Sequence, residues 1–209
     1  MKKKPETAAE AVARLNSDPE YLARRAVHDA EMAVLIERRH KEVAPLLDDL
    51  RTLGLDLTRP WELKERADDL KIAFPVLLQH LGRSYSDNTL GNIARLFQTR
   101  DARAHWDSIL SLYESLANSA KAFSQDQLAS AIAVMATKSD FQTLVRLLRD
   151  PRLGSSRLAF VPAVIKLGKD EGWAELRLLE NDPPLSKEIA RRFSGKVQRE
   201  RTKDNPTRR

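Results

Sequence analysis

The side chains able to do acid–base, nucleophilic or metal chemistry are few, and their spacing is wrong for it. The four histidines are His28, His40, His80 and His105, none three or four residues from another, and the chain has no cysteine. Zinc sites draw on clustered His and Cys ligands at short spacings, so no metal site is expected. His28 and His40 read as solvated residues of a charged helix, and His105 as a first-turn residue beside Trp106. Acidic pairs occur at Asp48-Asp49 and Asp68-Asp69. Neighbouring residues on a helix do not face the same way, so these pairs suit exposed faces and caps rather than a shared substrate. Gly154-Ser155-Ser156 lacks the glycine two residues beyond the serine of a nucleophile elbow and reads as a turn and cap. The seven glycines form neither GxGxxG nor GxxxxGK, the loops that cradle phosphates. No catalytic residue, metal or cofactor is expected.

Charge points to partners only through the ends. The net charge is +6; residues 1–4 carry +3 and residues 196–209 carry +4, which leaves −1 for residues 5–195. Such termini read first as solvating tails and second as nucleic-acid arms. MKKKPETAAE has no apolar run behind it, so it is not a secretory signal. No stretch approaches the roughly 20 apolar residues of a membrane span. A cytoplasmic protein with no membrane partner is the expectation. Few glycines and much Ala, Leu, Arg and Glu favour an all-α chain.

The elements follow from apolar spacing and breakers. Pro5 can open a first helix with Ala8, Val12 and Leu15 on one side. Asp18-Pro19 restarts the chain as cap and first helical residue. A long helix then runs to about Arg39, carrying Leu22, Ala26, Ala30, Ala33 and Ile36. Pro45 predicts a kink or a new helix, and Gly54 a stop. From residue 69 the pattern becomes a series of helical hairpins. Ile72, Val76, Leu77 and Leu81 pair with Leu90, Ile93, Ala94 and Phe97. Trp106, Ile109, Leu110 and Tyr113 pair with Leu128, Ile132 and Met135. Phe141, Leu144, Val145 and Leu148 pair with Leu158, Val161, Val164 and Ile165. Leu176, Leu178 and Leu179 pair with Leu185, Ile189 and Phe193. Aligned on Leu81, Tyr113, Leu148 and Leu179, the hairpins recur after 32, 35 and 31 residues. A quasi-period of that size is the mark of helical repeats that stack to share a core.

The last two hairpins carry Leu147-Leu148-Arg149-Asp150-Pro151 followed by Arg157 and Ala159, and Leu179-Glu180-Asn181-Asp182-Pro183 followed by Lys187 and Ala190. This resembles the HEAT repeat, with its Asp-Pro type turn and a second helix opening near an arginine. Over most of its length the chain also resembles a group of uncharacterised bacterial HEAT-repeat proteins, through Trp61-Glu62-Leu63 and Phe74-Pro75-Val76-Leu77-Leu78. The resemblance implies an all-α, right-handed α-solenoid of about four hairpins with an N-terminal helical cap. The expected layout is a basic lead at 1–18, long cap helices at 19–68, repeats at 69–195 and a disordered basic tail at 196–209.

In such a stack the second helix of each hairpin lines the concave face. Its outward residues are Asn92, Arg95, Ser130, Arg157, Lys187 and Arg191, a strip that could hold another protein, in particular an acidic helix or peptide. Within it, Arg157 and Lys187 are expected to pair with Asp150 and Asp182, leaving Arg95 and Arg191 freer. The resulting reading is a non-enzymatic scaffold, adaptor or inhibitor. The competing reading is a nucleic-acid-binding protein or a nucleic-acid enzyme. Trp106-Asp107 resembles a segment of the HEAT-like alkylpurine DNA glycosylases, which hold damaged DNA with tryptophans, an aspartate and basic residues. The near-neutral body argues against it, since phosphate contacts need concentrated Lys and Arg. Trp61, Trp106 and Trp173 otherwise read as packing at helix starts.

Overall fold

The computed structural model describes the backbone of residues 6–203 and side chains as far as Lys196. Lys2, Lys3, Lys4 and Pro5 of the basic lead and residues 204–209 of the tail lie outside them. The described residues hold ten α-helices, four 3-10 turns and no strand, so the chain is all-α. It divides into two compact units, 1–44 and 45–209.

In the first unit α1 (Ala8–Asn16) opens on a capping box. The Glu10 N–H donates to the Thr7 hydroxyl at 3.3 Å and the Thr7 N–H to the Glu10 carboxylate at 2.8 Å, which satisfies two orphan donors at once. Asp18 then caps α2 (Pro19–Thr52), accepting from the N–H groups of Glu20 and Tyr21 at 3.0 and 3.2 Å. α2 does not stop near Arg39; it passes through Pro45. A proline removes one helical hydrogen bond and frees the carbonyl four residues back. Lys41 and Pro45 are both exposed, so water can take that carbonyl and the helix continues. None of residues 19–42 is buried.

The second unit begins with the last turns of α2, whose Leu46 and Leu50 are fully buried. A 3-10 turn at Pro60–Glu65 leads into α3 (Ala67–Leu81) and α4 (Asp87–Leu96). The exposed Pro75 sits inside α3 without ending it, as Pro45 does in α2. A second turn at Arg100–His105 precedes α5 (Trp106–Ser115) and α6 (Ala122–Met135). Lys138–Asp140 leads to α7 (Phe141–Arg149), and the long turn Pro151–Ala159 to α8 (Phe160–Gly168). α9 (Asp170–Leu178) and α10 (Ser186–Lys203) follow. α10 is helical past residue 196, where a disordered tail was expected. Hairpin partners touch, α3 with α4, α5 with α6 and α7 with α8, and the second helices touch in series, α4 with α6 and α6 with α8. One apolar cluster runs through all of them, including Phe74, Phe97, Ile109, Ile132, Leu144, Phe160, Leu176 and Ile189. α8 and α9 meet so closely that a Cβ on Gly172 would lie 2.2 Å from the Val164 carbonyl oxygen.

Polar ties join groups about one hairpin apart in sequence. Asp87 accepts from the N–H groups of Phe123 and Ser124 at 3.0 and 2.8 Å, so the first residue of α4 holds the start of α6. Arg103 pairs with Asp140 at 2.8 Å, Arg146 with Glu114 at 2.5 Å, and Arg149 with Glu175. Tyr113 and Ser156 share a buried 2.7 Å hydrogen bond. Burial pushes the Tyr113 phenol up to about 12, with the Ser156 bond acting the other way.

Arg157 makes the most complete of these ties. It is 1% exposed. Its guanidinium donates to both Asp182 oxygens at 2.9 and 3.0 Å, to the Leu148 carbonyl at 3.1 Å and to the Gly154 carbonyl at 2.8 Å. The expected Arg157–Asp150 pair is therefore corrected. Asp150 accepts from the N–H of Arg152 at 3.0 Å and pairs with its guanidinium at 2.7 Å, because the turn bends back at Gly154, where φ is +56°. Removing one partner of a buried ion pair costs about 3–5 kcal/mol, since the other charge is left uncompensated. Asp182→Ala should lower the unfolding free energy by that order, read as a lower urea midpoint with an unchanged m-value. Arg152→Ala, at an exposed pair, should cost under about 1 kcal/mol. Equal losses from the two variants would show that the buried pair carries no special weight.

Candidate binding groove

α6, α8 and α10, with the turn before α8, leave an open groove between them. Its larger part, about 680 Å³, is lined by Ser130 and Asp126 of α6, Leu158 and Pro162, and Lys187, Glu188, Arg191 and Arg192 of α10. An adjoining part of about 450 Å³ continues along α6 and α8, past Ala133, Val134, Ala163 and Lys166, to Arg100. Ser130, Ala159 and Pro162 line both. The floor is apolar because α8 carries two faces. Val161 and Val164 point into the core, while Ala159, Pro162, Ala163 and Lys166 repeat at i, i+3, i+4 and i+7 on the groove side. Pro162 lies in the first turn of α8, where its missing N–H breaks no helical bond.

The rim is basic. Arg100, Lys166 and Lys187 are exposed and have no ion-pair partner among the described residues. Arg191 and Arg192 both hold Glu188 at 2.7 Å. The Arg191 hydrogen bond, opposed by burial and reinforced by Arg192, brings the Glu188 carboxyl down to about 2. Asp126 behaves oppositely: burial, then the charge of Asp87, raises it above the ordinary carboxylate value.

Three of the six expected face residues, Ser130, Lys187 and Arg191, come together here. Lys187 is unpaired because Arg157 already occupies Asp182, and Arg191 is paired because Glu188 lies one turn before it, the reverse of the expectation. Arg157 itself is buried and offers nothing to a partner. Asn92 is half-buried and donates to Asn88 at 3.2 Å. Arg95 is exposed with no ion-pair partner among the described residues, but it does not line this groove. Arg100, Lys166 and Arg192 were not singled out from sequence. The second periodic face of α8 was the available signal for Lys166.

The other residues singled out from the sequence do not line this groove. Trp106 is buried with the Arg103 guanidinium 4.4 Å above its ring, and Asp107 is exposed. Trp173 packs on Phe193 at 5.1 Å, and Trp61 is exposed. His28 and His40 are exposed, and His105 packs against Phe74 at 5.5 Å. No group of three His, Asp or Glu side chains among the described residues could hold a metal ion. No described helix is long and apolar enough to cross a membrane.

Asp49 is more than an exposed acid of a pair. It lies 2.8 Å from Nε2 of His80 and 3.1 Å from Arg83, while Nδ1 of His80 meets the Tyr85 hydroxyl at 2.7 Å. The order Asp–His–Tyr looks like an acid–base relay. His80 is fully buried with both ring nitrogens hydrogen-bonded, so it ties α3 to the last turns of α2. No family model, curated protein or solved structure matches the chain.

Burial lowers the His80 imidazole below its ordinary 6.5, against the opposing pull of Asp49. The unfolded chain therefore takes up that proton first as pH falls. The stability from neutral His80 is present above pH 6.5 and is lost as pH drops from 6.5 toward the folded value. The carboxyl of Asp49, held below 3.8 chiefly by its hydrogen bond with His80, adds a second loss only below about pH 3.8. The thermal midpoint of the wild-type chain should fall between pH 7 and 5, and His80→Gln should flatten that slope. A wild-type midpoint constant across the window would rule out this role.

Proposed function

We infer that this chain is a non-enzymatic protein-binding module, a right-handed solenoid of about four HEAT-like hairpins that acts as a cytoplasmic scaffold, adaptor or inhibitor. Its partner presents an acidic helix or peptide to the groove on α6, α8 and α10. The observation that carries this reading is the groove itself, with an apolar floor between unpaired Arg100, Lys166 and Lys187. Amphipathic helices dock in such grooves by an apolar face, and rim charges set orientation and association rate. The serial contacts of second helices and the polar ties about one hairpin apart support the repeat reading.

The groove suits a protein better than a nucleic acid. A phosphate backbone gains affinity by neutralisation with free cations. Here Asp126 and Glu188 sit inside the groove, and two of the arginines are already neutralised by Glu188. The buried Trp106 also leaves no aromatic platform beside Asp107.

A tagged full-length chain should capture one stoichiometric protein that survives nuclease. Lys166→Glu with Lys187→Glu should weaken that complex about tenfold or more, equivalent to roughly 1.4 kcal/mol, with the helix content unchanged. Arg152→Glu, away from the groove, should leave it intact. Partners that vanish after nuclease, or a complex indifferent to the rim reversal, would overturn the assignment.

A further inference from the structure

A separate cavity of about 240 Å³ opens where the turn after α3 meets the connection between α5 and α6. It shares no lining residue with the groove. Its walls are five leucines. Leu81, Leu90 and Leu128 are buried, and Leu112 and Leu116 are half-buried. Small-molecule sites are apolar concavities in which a few convergent polar groups fix the ligand's orientation. Those for drug-sized molecules run to roughly 300–1,000 Å³, so this one has room for a short acyl chain or a single ring.

The polar lining selects the ligand. Ser115 and Ser124 spend their hydroxyl protons inside the chain, on the Leu112 carbonyl at 2.7 Å and on Asp87. Arg83 donates to Asp49 at 3.1 Å through one nitrogen, which leaves others of its five N–H donors. Lys121 has no ion-pair partner among the described residues. No acid lines the cavity. The acids that offset these two charges are committed elsewhere, Asp49 to His80 and Arg83, and Asp87 to the N–H groups of Phe123 and Ser124. The backbone offers few acceptors. At the ends of α3 and α5 the carbonyls of Gln79, His80, Tyr113 and Glu114 already accept from the N–H groups of Gly82, Arg83, Leu116 and Ala117. Cationic donors at an apolar cavity call for a ligand with an apolar body and an anionic acceptor, and a guanidinium fork suits a carboxylate. We propose that this cavity binds a small amphipathic carboxylate, its body among the leucines and its head on Arg83 and Lys121. An alcohol of the same shape forgoes the charge-assisted hydrogen bonds, and an amine meets cations with no free acid to receive it.

The test uses the full chain with octanoate, octanol and octylamine at millimolar concentration as matched probes, read by titration calorimetry and by the thermal midpoint. Octanoate should bind saturably at one site per chain and raise the midpoint, as a ligand of the folded state does. Octanol should bind about tenfold more weakly, the scale of one charge-assisted hydrogen bond, and octylamine should leave the midpoint unmoved. Lys121→Gln, at a half-buried residue without an ion pair, should weaken octanoate about tenfold and leave octanol unchanged. Leu116→Trp, which fills the cavity from a half-buried wall, should abolish binding of both, with helix content preserved by circular dichroism. Leu112→Phe fills it less and should weaken both. No binding of octanoate, equal affinity for octanoate and octanol or octylamine, or octanoate binding indifferent to Lys121→Gln or to the two filling variants would each overturn the proposal.

Discussion

The second unit depends on one buried guanidinium. Arg157 contacts the end of α7 through the Leu148 carbonyl, its own turn through Gly154, and the turn before α10 through both oxygens of Asp182. Burying an arginine is costly unless its charge is paired and its donors are used, and here the surroundings supply both. The groove walls on this side, Leu158, Ala159 and Pro162 on one hand and Pro184, Lys187 and Glu188 on the other, are the residues just beyond Arg157 and Asp182. The spacing of those walls is therefore set by a planar, bidentate contact rather than by soft side-chain packing.

Arg157 is one case of a wider arrangement. Asp87 with the start of α6, Arg103 with Asp140, Tyr113 with Ser156 and Arg149 with Glu175 all link groups separated by about one hairpin. Each hairpin has a narrow apolar stripe and short helices, too little to stand alone in water. The shared apolar cluster supplies the non-directional part of the stability. The polar ties fix which turn sits over which, something that leucines alone leave loosely specified.

Much of this was readable from the residues. The stripes at i, i+3, i+4 and i+7 located α5 and α7, and Asp18-Pro19 the start of α2, because those signals are local; in α9 the stripe failed in part, since Leu178 is exposed. Pro45 reads as a kink or a new helix, yet α2 runs through it; at an exposed position water can take the carbonyl that a proline frees. Ser130, Lys187 and Arg191 were placed on one face because they follow the same helical period as the core. The pairings were not legible. Asp182 is taken by Arg157 instead of Lys187 through a contact 25 residues long in sequence, and nothing local to either residue selects it. The same holds for His80, whose partner Asp49 lies 31 residues away.

Glu188 gives the groove a threshold. Two of its five basic side chains are engaged by a carboxylate of the same chain, so an incoming anion competes with a neighbour whose effective concentration is high. At Arg191 or Arg192 a single carboxylate or a simple inorganic anion only exchanges one ion pair for another, and at the free lysines it gains no burial on the apolar floor. A ligand with several acids along an apolar face gains the burial and the free lysines before it needs to displace Glu188. With the groove read as a docking site for an acidic segment, the internal pair acts as a filter on valency.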